Sequence, residues 1–148
     1  MLKEDLYQHC LHHFLKKLND LEAQKELLSI ALNSESKSSA GDKHETGRAM
    51  IQLEREKLGG QMAKAEADYK KLLRFNNKVT SNQVALGTVV ITNEANYYIA
   101  VSAKSYVKKE ETYYCISPQS PIGALLLGKK VGDVIYFNKS SFTLLEIH

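Results

Sequence analysis

Apolar residues at Leu11, Phe14, Leu18, Leu21, Leu28 and Leu32 recur at alternating spacings of three and four, with Lys25 the one polar member. That spacing is the seam of a helix packed lengthwise on a partner. A second seam runs through Ile51, Leu58, Met62, Ala65, Tyr69 and Leu72, interrupted at Arg55. No proline occurs from Leu2 to Asn76, and the residues between are mostly Leu, Lys, Glu, Ala and Gln, which lose little rotamer freedom in a helix. Between the seams, SESKSSAG at 34–41 is rich in side chains that compete for backbone hydrogen bonds, so the helices are expected to break there, with a tip at Gly41 and Asp42. A short link makes the arms antiparallel, and Leu32 with Ile51, Leu21 with Met62 and Leu11 with Leu72 then face each other at a constant index sum. Each arm of about 30 residues would be roughly 45 Å long. That exceeds what a small core needs, and the hairpin is expected to reach into another molecule. Gly59 and Gly60 fall inside the second arm, where each costs about 1 kcal/mol relative to alanine, so a close helix approach is expected there.

After Asn77 the pattern shortens to runs of Val, Ile, Tyr and Thr: Val84 to Thr92, Tyr97 to Ser102, Tyr113 to Ser117, Val134 to Phe137 and Phe142 to Ile147. These read as strands. The polar stretch from Phe75 to Ser81 marks the boundary, giving a hairpin over 1–76 and a second domain over 77–148. One short helix is expected there, with Ser120 as its N-cap, Pro121 in its first turn and Gly128 ending it in a left-handed conformation. The fold class is α+β, an antiparallel helical hairpin followed by a mostly antiparallel sheet.

Composition narrows the function. The chain has 148 residues, 43% of them hydrophobic, and a net charge of +3 from 20 basic and 17 acidic side chains. That balance is too weak for wrapping nucleic acid by bulk electrostatics. The opening MLKEDLYQHCLHHF lacks the apolar core of a signal peptide, and no stretch approaches the roughly 20 apolar residues of a membrane span. Cys10 and Cys115 lie far apart without metal-ligand spacing, so neither a disulfide framework nor a zinc site is suggested, and a reducing cytoplasm is expected.

The candidate chemistry is at the tip. GDKHE places Asp42 and Glu45 three positions apart on one face of the second helix's first turn. Two carboxylates alone make a poor Mg²⁺ site, because the ion wants six oxygens, but a partner can complete the set. The same spacing also fits a capping box, with Asp42 as N-cap and Glu45 at N3. Asparagine separates the readings, since it caps about as well as aspartate and is a far weaker metal ligand. Lys37 and Lys43 flank the pair and either steer it toward RNA or serve solubility. His44 is a candidate proton carrier or an idle surface residue. His9, His12 and His13 share a helix face, but no acid or cysteine nearby completes a site, and a solvated or domain-facing role is expected. Lys129 and Lys130, after the apolar stretch from Ile122 to Leu127, offer a docking surface or merely cap a buried helix.

SSAGDKHETG resembles the hairpin tip of bacterial transcript-cleavage factors of the Gre type, in which Gly-Asp-x-x-Glu carries an acidic pair, and SPQSPIGALLLGKKVGD closely resembles their C-terminal signature. The resemblance covers the whole chain in order and implies an FKBP-like C-terminal domain docked at the rim of the secondary channel of bacterial RNA polymerase. The docking residues it implies are Ser117, Pro118, Ser120, Pro121, Ile122, Lys129 and Lys130. It further implies that Asp42 and Glu45 share a Mg²⁺ ion with the polymerase and promote hydrolysis of nascent RNA near its 3′ end, with no activity from the factor alone. Where the family continues with Asn, Ala, an acid and Tyr after the pair, this chain has Thr46, Gly47, Arg48 and Ala49. Arg48, like Lys43, is a candidate phosphate contact or a solvated cation.

Three other functions fit parts of the pattern. A channel binder that modulates polymerase without stimulating cleavage shares the architecture and is favoured by the altered residues after Glu45. A peptidyl-prolyl isomerase is prompted only by the implied fold. A coiled-coil adaptor predicts a dispensable tip and self-association, whereas the cleavage-factor reading expects a cytoplasmic monomer with no membrane partner and no DNA sequence recognition.

Overall fold

The computed structural model describes residues 1–37, 41–75, 77, 78 and 80–148, with side chains described outside 35–37 and 41–44. Two long helices, α1 (Leu2–Lys37) and α2 (Gly41–Arg74), come first. They are followed by β1 (Val89–Thr92), β2 (Asn96–Ile99), β3 (Tyr106–Lys108), β4 (Glu111–Ile116), α3 (Pro121–Leu126), β5 (Val134–Phe137) and β6 (Ser140–Ile147). No described helix is long and apolar enough to cross a membrane. The chain divides into two compact units, Phe14–Tyr69 and the combination of Met1–His13 with Lys70–His148.

The unit Phe14–Tyr69 is the helical hairpin, and its seams bury as their spacing demands. Phe14, Leu21, Leu58 and Ala65 are buried, Leu18, Leu28, Leu32, Ile51, Met62 and Tyr69 half-buried, and the interrupting Lys25 and Arg55 exposed. Lys25 lines one groove with Gln52 and Met62, and Leu28 lines another with Leu58 and Gln61, so the two arms run side by side in opposite directions. Helix α1 runs on through Ser34 to Lys37, because a long helix already nucleated adds weak formers at little cost, and α2 starts at Gly41, so both bounds fall within the expected 34–41 stretch. One expectation needs correction. Gly59 and Gly60 mark no close approach: both are exposed, and a Cβ built on either would meet nothing within 4 Å.

In the other unit a six-stranded mixed sheet has the order β3-β4-β2-β1-β6-β5. All neighbours are antiparallel except β2 and β4, where Tyr98 sits beside Cys115. One face carries Val90, Ile99, Phe142, Leu144 and Ile135, closed by Leu126 of α3 and Val84. On the other face Val89 and Tyr98 pair across β1 and β2, in the same buried layer as Leu6, Cys10 and Leu72 from the first turns of α1 and the last of α2. Tyr7 Oη donates to the Leu72 carbonyl at 3.1 Å, tying these helix ends together. Tyr98 Oη donates to Asn77 Oδ1 at 2.6 Å, and Asn77 Nδ2 donates to the Lys3 carbonyl at 2.9 Å. At the rim Lys108 pairs with Asp5, and its hydrogen bond holds the Asp5 carboxyl below the usual carboxylate range.

The expected strand from Val84 to Thr92 shortens to Val89–Thr92. Gly87 takes a φ of 91°, and Thr88 Oγ1 donates back to the Ala85 carbonyl at 2.7 Å, so a turn replaces the strand's first half. Strand β3 was not expected. It joins β4 through Lys109 and Glu110 at φ 50° and 68°, the signature of a two-residue I′ hairpin.

Candidate functional site

At the hairpin end, Gly41 is already helical, so Asp42 falls within the first turn of α2 and not at the cap position a capping box requires. Glu45 is exposed, as is Arg48, while the side chains of Asp42, Lys43, His44 and Lys37 lie outside the described residues. An exposed carboxylate in the first turns of a helix has its charge complemented by the helix dipole and stays open to a partner. Among the described residues, no three of His, Cys, Asp and Glu cluster in a way that holds a metal ion. Two carboxylates supply too few of the six oxygens Mg²⁺ prefers, so an ion taken by Asp42 and Glu45 would need ligands from elsewhere.

The second candidate surface is built from the Ser-Pro steps. Ser120 Oγ accepts from the Gly123 N–H at 3.1 Å, as an N-cap should, and donates to the Ser117 carbonyl at 2.6 Å. Ser117 Oγ in turn donates to Gln119 Oε1 at 2.6 Å and accepts from the Gln119 N–H at 3.1 Å. Gly123 permits this knot: a Cβ there would lie 2.1 Å from the Ser117 carbonyl oxygen. Both serine hydroxyls are thus spent on holding the loop, and Ile122 packs against the core. What the loop presents outward is Pro121, with Leu125 and Leu127 of the following segment, beside exposed Lys129 and Lys130. Gly128 takes a φ of 79° and ends α3, and the Lys130 N–H is held by Asp133 Oδ2 at 2.8 Å, so the Gly-Lys-Lys-Val-Gly-Asp stretch is a fixed turn.

Pro118 faces a cavity of about 420 Å³ that sequence reasoning missed, with Phe75, Leu86 and Val101 as apolar wall and Lys71 and Arg74 at its side. The histidines carry no metal-site geometry. His9 Nε2 donates to the Lys104 carbonyl at 2.7 Å and its ring stacks at a tilt on Tyr106, 5.1 Å between centroids, which is the domain-facing role expected.

The cysteines are the other omission. Cys10 is buried one helical turn from Leu6 and from Phe14, and Cys115 is an inward residue of β4. The Cys115 side chain, and then burial, push the Cys10 thiol well up, while Cys10 pulls Cys115 down against its own burial. The burial periodicity was present in the sequence, but nothing in it paired positions so far apart.

Comparison with known proteins bears on this second half. No curated protein matches the chain. Among solved structures, that of the transcription factor Gfh1 aligns over 95% of this chain and 94% of its own at 19% identity, with a TM-score of 0.41, a likeness too low to carry an argument. Residues 76–148 match the family model described as transcription elongation factor, GreA/GreB, C-terminal. The match takes in the Ser-Pro knot, α3 and the glycine-bounded lysine turn, so residues 76–148 are a GreA/GreB-type C-terminal domain of a transcription elongation factor.

Proposed function

We propose that this protein enters the secondary channel of bacterial RNA polymerase in the cytoplasm and stimulates cleavage of backtracked nascent RNA through Asp42 and Glu45. The observation that carries the reading is the placement of both acids in the first turns of the second arm of a helical hairpin, in a chain whose other half is a GreA/GreB-type domain. Docking falls to the loop at Pro118 and Pro121 and to Lys129 and Lys130, with Ser117, Ser120 and Ile122 holding that surface in shape. Asp42 and Glu45 would hold Mg²⁺ jointly with polymerase carboxylates, and the ion supplies activation of water and neutralisation of charge on the scissile phosphate. Lys43 and Arg48 stand beside the acids as phosphate contacts. The protein itself binds and positions two carboxylates; alone it cleaves nothing, and it acts as a monomer.

A purified, stalled elongation complex tests this. Addition of the protein is expected to shorten the RNA from its 3′ end, and Asp42→Asn, which preserves a helix-start residue while weakening metal ligation, to abolish the shortening. RNA left intact by the wild-type protein would favour the second reading, a channel binder that modulates elongation without cleavage. That reading draws on Thr46 to Ala49, which lack the acid and aromatic found after the pair in the family. A prolyl isomerase draws no support beyond fold analogy.

A further inference from the structure

The cavity beside Pro118, about 420 Å³ in volume, is built entirely from the unit that combines Met1–His13 with Lys70–His148. Its floor is Ala100 and Val101, directly after β2 and only 4% and 5% exposed. The Ala100 N–H donates to the Ile116 carbonyl at 2.9 Å, and the Gly87 N–H donates to the Ile99 carbonyl at 2.6 Å, so the floor and the turn that carries Leu86 are tied to the same end of β2. Phe75, directly after α2, stands edge-on to the Tyr7 ring with centroids 5.6 Å apart, and Pro118 is held within the Ser-Pro knot. The basin is therefore already formed, and its volume falls in the range of roughly 300–1,000 Å³ common for small-molecule sites. Leu86 is 44% exposed, which leaves part of an apolar wall in water.

Charge narrows what fits there. Lys71 and Arg74, both exposed, line the same cavity, no acid does, and neither cation has a salt bridge among the described residues. The dipole of α2 accounts for basic residues in its last turn, but not for an apolar basin beside them. Among the described residues of the lining, Gln119 is the one neutral polar side chain, so a sugar or a nucleobase would give up hydrogen bonds to water without replacement. An alkyl or aryl body gives up none. We propose that this cavity is a binding site for small amphiphilic anions, an alkyl or aryl body carrying one carboxylate or phosphate, with the body on Ala100 and Val101 and the head against Lys71 and Arg74. The guanidinium offers a planar fork to two oxygens of the head, and the ammonium adds a point charge. Burial of the body on the floor supplies affinity, and the two cations select the sign of the head. This inference is independent of the proposed action on polymerase.

The test uses the full-length, isotope-labelled protein titrated by NMR with octanoate, octyl phosphate, octanol and octylammonium. Saturable shifts of the Leu86, Ala100 and Val101 amides are expected with octanoate or octyl phosphate, and the tighter of the two identifies the head. Octanol should bind at least about fivefold more weakly and octylammonium more weakly still. Added salt should weaken octanoate and leave octanol unchanged, because screening acts on the head alone. Lys71→Gln with Arg74→Gln, both at exposed positions, should bring the affinity for octanoate down to that for octanol, with the circular dichroism of the wild type retained. Shifts that do not saturate, shifts centred on other residues, octanol or octylammonium bound as tightly as octanoate, or an affinity indifferent to loss of the two cations would each overturn the proposal. So would the tetrapeptide Glu-Leu-Phe-Glu shifting these amides where octanoate does not, since the cavity would then be a groove for another protein. The four-ligand comparison on the wild-type protein decides even where the double variant fails to fold.

Discussion

Replacing Gly59 and Gly60 together by alanine should stabilise the protein. Both lie in the interior of α2, both are exposed, and a Cβ at either position meets no heavy atom within 4 Å, so no contact is lost and no clash is made. What changes is the backbone freedom surrendered on folding, about 1 kcal/mol per glycine in a helix interior, or about 2 kcal/mol for the pair. With a melting shift of about 2–4 °C per kcal/mol for a chain of this length, the double variant should melt roughly 4–8 °C higher. Far-UV circular dichroism follows the helices directly, and calorimetry on the same samples reports whether the sheet unit melts with them. An unchanged or lowered melting temperature would refute the reasoning, since it would mean that the helix is not continuous through these residues. Combined with the elongation assay, the variant also separates stability from use: a more stable protein that binds polymerase less tightly would mark the bare backbone as a contact surface.

Gly123→Ala should do the reverse, because its Cβ would collide with the Ser117 carbonyl oxygen and displace Ser120 from its cap. The lost cap and the overpacking together cost about 2–4 kcal/mol, read as a lower urea midpoint and, with it, weaker polymerase binding. Tyr98→Phe removes the donor to Asn77 Oδ1 and should cost about 1 kcal/mol by urea denaturation, with no effect if water takes over the bond. Alkali should destabilise the fold. Burial and the bond to Glu111 push the Tyr113 phenol up to about 12, so its contribution is complete below the ordinary tyrosine value of 10.0 and is lost as pH rises from there through about 12. Tyr98, raised further by burial, acts in the same direction, and a urea midpoint that holds constant across this window would contradict the assignment.

How much of this was legible beforehand depends on the range of the forces involved. The two seams were plain because Leu21, Leu58 and Ala65 bury against a neighbour of the same period, and period is a local property. Helix α3 was equally plain, since Ser120, Pro121 and Gly128 each carry a conformational preference that needs no tertiary partner. Strand β3 was hidden because its turn uses Lys109 and Glu110 at positive φ where Asn-Gly or Asp-Gly gives the usual signal, and the turn at Asn138 and Lys139 is built the same way. The end of α1 was legible only to within the 34–41 stretch, because Ser34 and Ser36 weigh against a helix locally, whereas propagation from a long helix carries it to Lys37. The acidic pair was visible as a spacing. The cavity beside Pro118 was not, since it joins residues whose proximity only the folded chain creates.

The division of the chain has a consequence for its synthesis. The unit Phe14–Tyr69 is continuous in sequence and can form as soon as it leaves the ribosome, but the other needs Met1–His13 together with Lys70–His148. Strand β6 lies between β1 and β5, so the sheet closes only when its most C-terminal strand is in place. Leu6 and Cys10 therefore wait for segments after Lys70 before their apolar side is covered. Until those segments emerge, the nascent chain carries an uncovered apolar side, the circumstance in which chaperone capture and premature association compete with folding.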